Sequence, residues 1–136
     1  MTSIRLPANM DNFEPLMDFV QSQMEKAGYD KKKTQKIRLA CEEIIINIIR
    51  YAYPDKKGSV EIHYNTTEGG KGYQIKIIDW GIPFNPLSIP EPDTSMPIEE
   101  REIGGLGIFL VRNVMDKIDY QRNGDKNILV CEKYSE

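Results

Sequence analysis

The chain is poor in the residues that most often announce a site. It has only two cysteines, Cys41 and Cys131, far apart and each inside an apolar-patterned segment. That spacing excludes a paired-cysteine zinc site, and nothing around it suggests a secretory, disulfide-stapled domain. Two buried thiols acting as small hydrophobes are expected. The single histidine, His63, alternates with apolar neighbours and is expected to face solvent rather than to ligate or catalyse. No apolar run approaches the roughly 20 residues of a membrane helix, and "MTSIRLPANM" lacks a signal-peptide core, so a cytoplasmic protein without membrane attachment is expected. A broad basic field is missing too. Net charge is −3, and only Lys31, Lys32 and Lys33 cluster, most simply as a solvated group, which argues against nucleic acid as a partner.

What remains is ordinary globular material: 136 residues, 40% hydrophobic and 29% charged. One compact domain over residues 1–136 is expected. "SIRLP" reads as a short strand. Phe13, Leu16, Met17, Val20, Met24 and Ala27 fall at helical spacing between residues 10 and 27, with Pro15 in the first turn and Gly28 just past the end. Asp30 is a candidate N-cap for a second helix, whose apolar face runs Ile37, Cys41, Ile44, Ile45, Ile48, Ile49, Ala52 and which stops before Pro54.

The period then changes to two. Val60, Ile62 and Tyr64 alternate with polar residues, "EGGKG" turns the chain, and Tyr73, Ile75 and Ile77 alternate again up to Asp79. Five of the eight prolines lie between Pro83 and Pro97, which excludes regular structure and predicts a long loop. "GGLGIFLVRNVM" predicts a third helix, and "KIDYQR" and "NILVCEK", joined by Asn123-Gly124, a closing hairpin. The order βααββ, loop, αββ lacks the alternation of a parallel sheet. It predicts an α+β two-layer sandwich: a mixed, mostly antiparallel sheet with helices on one face.

Three stretches carry candidate chemistry. In "CEEIIINIIRYAYP", Glu43, Asn47 and Arg50 fall on one stripe of the second helix, with the isoleucines opposite. The helix alone is compatible with a solvated polar face. The same pair would also suit catalysis, since a carboxylate accepts a proton and an amide oxygen is a hard ligand for Mg²⁺. Glu42 is the rival acid, but its helical angle puts it between Ile46 and Ile49, off the stripe. In "IIDWGIPFNP", Asp79 ends a strand two residues before Gly81; this is either ordinary turn chemistry or an acceptor for an exocyclic amine. In "GGLGIF", glycines open a helix after a long loop, either as a cap or as an anion site. A dinucleotide fingerprint is excluded, because no strand precedes these glycines and the GxGxxG spacing is not met.

Together and in this order the three stretches resemble the ATP-binding domain shared by gyrase, histidine kinases and the anti-sigma-factor serine kinases. Size and order resemble the small anti-sigma-factor kinase branch most, from "IRLPA" onward. The resemblance implies a Bergerat-type α/β sandwich with ATP and Mg²⁺ as cofactors. It implies Glu43 as general base, Asn47 as Mg²⁺ ligand, and Asp79 on the adenine amine with Gly81 letting the base approach. Gly105, Leu106 and Gly107 would lie along the phosphates, under a lid formed by residues 86–104 that includes Arg101.

The sequence departs from the family pattern at two positions. Pro83 stands where the first glycine box has a second glycine, and Tyr51 where a histidine often follows the asparagine. The function implied is an ATP-dependent serine-protein kinase that phosphorylates an anti-sigma-factor antagonist and, when free of it, sequesters a sigma factor, acting as a homodimer. The alternative is a regulatory binding module, with or without nucleotide, that lacks kinase activity. A histidine-kinase output domain cut from a longer protein is not expected, given the clean ends and the absence of a phosphoacceptor-helix histidine.

Overall fold

The computed structural model describes residues 2–67, 72–85 and 105–134. Strand β1 (Thr2–Pro7) is followed by a 3-10 turn (Met10–Asn12) and helix α1 (Phe13–Lys26). The helical pattern expected from residue 10 thus begins as a tighter turn. Asn9 accepts a hydrogen bond from the Asn12 backbone N–H at 3.2 Å, and the Asn12 side chain donates to the Pro7 carbonyl at 2.9 Å, fixing the entry from β1. Helix α1 ends where Gly28 takes a φ of +89°, a left-handed stop that glycine adopts without a Cβ penalty.

Helix α2 (Lys31–Tyr51) starts on the expected cap, with Asp30 Oδ1 accepting from the Lys33 N–H at 2.8 Å. Strands β2 (Ser59–Thr66) and β3 (Gly72–Asp79) form the first hairpin. Helix α3 (Gly105–Val114) then leads into the second hairpin, β4 (Lys117–Asn123) and β5 (Lys126–Tyr134). The sheet order is β1-β2-β3-β5-β4, and every pairing is antiparallel. Residues 86–104, where the resemblance implies a lid, lie outside the described residues, as does Arg101.

Period-two alternation decides which way the sheet faces. Val60, Ile62 and Tyr64 of β2, Tyr73, Ile75 and Ile77 of β3, and Leu129 and Cys131 of β5 are buried. They meet the apolar faces of α1 and α2, including Leu16, Met17, Val20, Ile37, Ile44, Ile45 and Ile48. Both cysteines are buried and free, and burial pushes the Cys131 thiol up to about 12 and Cys41 higher, so both are inert packing groups. His63 lies on the opposite, outer row, half-buried, with Nε2 2.6 Å from Glu61 Oε2. Arg38 bolts the two long helices together: it donates to Glu14 at 2.7 Å, Asp18 at 2.9 Å and Gln21 at 2.7 Å, all on α1, and approaches Glu42 at 3.4 Å.

Candidate functional site

Two helix-facing rows of the sheet end in a polar residue instead of an apolar one. Tyr73, Ile75 and Ile77 lead to Asp79, and Cys131 and Leu129 lead back to Asn127. The pairing of β3 with β5 sets Asp79 and Asn127 directly opposite each other. They are 1% and 2% exposed. Two buried polar groups at one sheet end must satisfy each other or something brought to them.

Asn127 Nδ2 donates to Asp79 Oδ1 at 2.8 Å and to the Ile82 carbonyl at 2.7 Å. Its Oδ1 accepts from Tyr120 Oη at 2.6 Å, from the Phe84 N–H at 3.1 Å and from Arg122 Nη1 at 3.2 Å. The same Arg122 nitrogen reaches the Gly81 carbonyl at 2.8 Å, while the Gly81 N–H donates to Asp79 Oδ1 at 2.9 Å. Residues 79–84 are therefore held from both sides. Burial raises the Asp79 carboxyl above its ordinary value, opposed by the hydrogen bonds from Asn127 and Gly81 and by the charge of Arg122. The donors keep a buried carboxylate available as an acceptor.

Gly81 has a packing reason to be glycine. A Cβ there would run into the carbonyl and side chain of Ala52, the C-cap of α2. That contact is bonded as well, since the Ile82 N–H donates to the Ala52 carbonyl at 2.9 Å. The turn after β3 is thereby fastened to the end of α2, about 7 Å along the helix axis from Asn47. Tyr53 adds a second tie, donating to the Ser59 carbonyl at 2.6 Å and accepting from the Trp80 N–H at 2.8 Å. Trp80, next to Asp79, has the Arg5 guanidinium 4.1 Å above its ring. It is engaged with β1.

On α2, Asn47 is fully buried. The solvated polar face that the helix alone allowed is therefore not what forms, because Asn47 lies inward with Ile44 and Ile48 while Arg50 is exposed. Glu43, one turn earlier, is half-buried, and its Oε2 is shielded from solvent without a hydrogen-bond partner. Burial is the chief reason its carboxyl is raised; Arg50 acts against the shift and Glu42 with it. Glu42 is occupied by Arg38, as its position off the stripe suggested. Tyr51 is exposed, with its ring 5.7 Å from that of Phe84, the residue after Pro83. Gly105, Leu106 and Gly107 form the first turn of α3, which packs on α2.

Among the described residues no group of three or more His, Cys, Asp or Glu side chains converges as a metal cage. Mg²⁺ held chiefly by phosphates and water needs only one or two protein oxygens. A buried amide beside an unpartnered carboxylate oxygen fits that limited demand.

The antiparallel sheet with its helices on one face is an α/β sandwich of the histidine kinase-like ATPase class. A family profile described as "Histidine kinase-like ATPase domain" matches residues 6–133, and the chain belongs to that family. Serine-protein kinase RsbW of Halalkalibacterium halodurans is 28% identical over 102 residues, covering 72% of this chain and 61% of that protein. The Bacillus mycoides protein of the same name is 21% identical over 133 residues, covering 95% of this chain and 82% of its own length. The crystal structure of the RsbU and RsbW domains of Rv1364c from Mycobacterium tuberculosis superposes with a TM-score of 0.62 at 11% identity, covering 98% of this chain and 32% of that one. The resemblance to the anti-sigma-factor kinase branch is borne out by these matches, as is the fold class. Kinase, the enzyme class expected from the sequence, is the class those curated relatives carry in their names.

The sequence did not single out Asn127, Tyr120 or Arg122. The available signal was a polar residue in the helix-facing row of an otherwise apolar strand.

Proposed function

We propose that this chain is an ATP-dependent serine-protein kinase that phosphorylates an anti-sigma-factor antagonist and, when free of it, sequesters a sigma factor. In this reading it works as one domain, in the cytoplasm and as a homodimer. The observation that carries the reading is the buried, unpartnered oxygen of Glu43 one helical turn from the buried amide of Asn47. Leaving a carboxylate oxygen buried and unsatisfied costs stability, so its retention is best explained by a task. The names of the curated relatives support the same activity.

Each residue then has a role. Glu43 orients the substrate serine and takes its proton; burial, which raises its carboxyl, makes it a better acceptor than an exposed glutamate. Asn47 would hold Mg²⁺, which when bound neutralises charge on the phosphates. Asp79, fixed by Asn127 and Gly81, accepts from the adenine amine. Gly105, Leu106 and Gly107 offer backbone N–H groups at the start of α3 to the phosphates.

The test is the Glu43→Gln variant with ATP, Mg²⁺ and the antagonist protein. Phosphate transfer should fall by about 10²- to 10⁴-fold while nucleotide affinity stays near that of the parent. Transfer at the parent rate would refute the role of Glu43.

A further inference from the structure

Every hydrogen-bonding position of the Asn127 amide is taken. Its Oδ1 accepts from Tyr120 Oη, the Phe84 N–H and Arg122 Nη1. With donors on that side the amide cannot turn over, and it must present its nitrogen to Asp79. The second proton of that nitrogen goes to the Ile82 carbonyl. Asn127 has nothing left to offer a ligand, so whatever it does for the site is done through Asp79.

Its effect on the carboxylate is one-sided. Asp79 Oδ1 accepts from Asn127 at 2.8 Å and from the Gly81 N–H at 2.9 Å, which fills both of its lone pairs. Oδ2 receives no donor among the described residues, yet it is not sealed from solvent as Glu43 Oε2 is. The carboxylate has one oxygen in use and one open.

That difference separates the purines. Adenine meets a carboxylate with an exocyclic N–H, which a single oxygen satisfies. Guanine carries a carbonyl at the same ring carbon, which sets acceptor against acceptor. To be read by a carboxylate it must shift and give its ring N–H and its amine to two oxygens side by side, and here one of the two is occupied. Leaving a buried ring N–H unpaired costs about 10- to 100-fold in affinity.

We propose that Asn127 is a positioning residue that sets the purine specificity of the site: by saturating Oδ1 it limits Asp79 to one open acceptor, which admits adenine and rejects guanine. The inference rests on the reading of Asp79 as acceptor of the adenine amine.

Calorimetric titration of the full chain with ADP and with GDP, each with Mg²⁺, tests it. The parent should bind ADP about 10- to 100-fold more tightly than GDP. In Asn127→Ala the freed carboxylate can present both oxygens, so that ratio should narrow by about tenfold. A purely structural role would weaken both nucleotides alike and leave the ratio where it was. Asn127→Ser, whose hydroxyl and an admitted water can partner the stranded donors, gives the same comparison if the alanine chain does not fold. Asp79→Asn tells the two readings apart: unchanged ADP affinity there would refute Asp79 as the acceptor, and this proposal with it. Equal binding of ADP and GDP by the parent would overturn the role of Asn127 alone. So would an unchanged ratio in a folded Asn127 variant while Asp79→Asn still loses ADP.

Discussion

Asn127 holds Asp79: its amide nitrogen lies 2.8 Å from the carboxylate oxygen and 2.7 Å from the carbonyl of Ile82. One side chain therefore fixes both the acidic acceptor and the turn beyond it. Asn127→Ala would leave a buried carboxylate short of a donor and release Phe84, Tyr120 and Arg122 from their common acceptor. Stability should fall by about 2–3 kcal/mol, and ADP affinity should fall with it. Denaturant unfolding and calorimetric titration check the two effects. Asn127→Asp should be worse, because it sets two carboxylates face to face.

At Gly81 the expected effect is steric. Gly81→Ala pushes a methyl into the Ala52 carbonyl, and neither backbone can yield without breaking the Ile82–Ala52 hydrogen bond. Thermal unfolding should register a loss of about 1–3 kcal/mol. Amide shifts on α2 near Ala52 should accompany it; an unperturbed α2 would show that the close approach is not rigid.

Burial raises the carboxyls of both Glu43 and Asp79, and the two separate kinetically. If Glu43 accepts the serine proton as a carboxylate, kcat at saturating ATP should fall as the pH drops through its folded-state pKa, which lies above the ordinary 4.5. Protonation of Asp79 should instead raise KM for ATP. The kcat limb should vanish in Glu43→Gln while the KM limb remains, and a kcat limb that survives in that variant would assign the titration elsewhere. Linkage has the opposite direction for stability. Both groups hold their protons more tightly when folded, so their contribution is full at low pH and is lost as the pH rises through the folded values.

Arg38 tests architecture apart from chemistry. Its side chain is 13% exposed and serves partners on α1 that are about 70% exposed, so the ion pairs themselves are worth little. Arg38→Ala should cost about 1 kcal/mol, through lost packing of the stem as well as lost pairing, with the electrostatic part shrinking in high salt. ADP affinity should not change. A large drop would mean that α1 supports the site.

The parts of the fold that were legible in the sequence rest on local rules. The isoleucines of α2, the Asp30 cap, the Gly28 stop and the Asn123-Gly124 turn each specify their element within a few residues. The candidate site was legible where its residues share an element, as Glu43 and Asn47 do, or share a turn, as Asp79 and Gly81 do. Asn127, Tyr120 and Arg122 were hidden because their meaning depends on the register of β5 against β3, fixed by pairings across more than 40 residues of chain. Periodicity says that Asn127 points toward the helices, but not that Asp79 stands opposite. The burial of Asn47 was hidden for a related reason. Helical angle places it on a stripe, and only the packing of neighbouring elements decides whether that stripe is wet.

The bond between Asn127 and Asp79 also sets an order of events as the chain is made. Asp79 is synthesised long before its donor, and β5 comes last in chain order among the described strands. Contacts of such sequence separation form late, after loop closure has been offset by other packing. A nascent chain ending before β5 has the helical pair Glu43 and Asn47 but a carboxylate at the end of β3 with no Asn127 to hold it. If Asp79 takes the adenine amine, it is held for that task only once β5 docks, so a chain ending before β5 should bind ATP poorly.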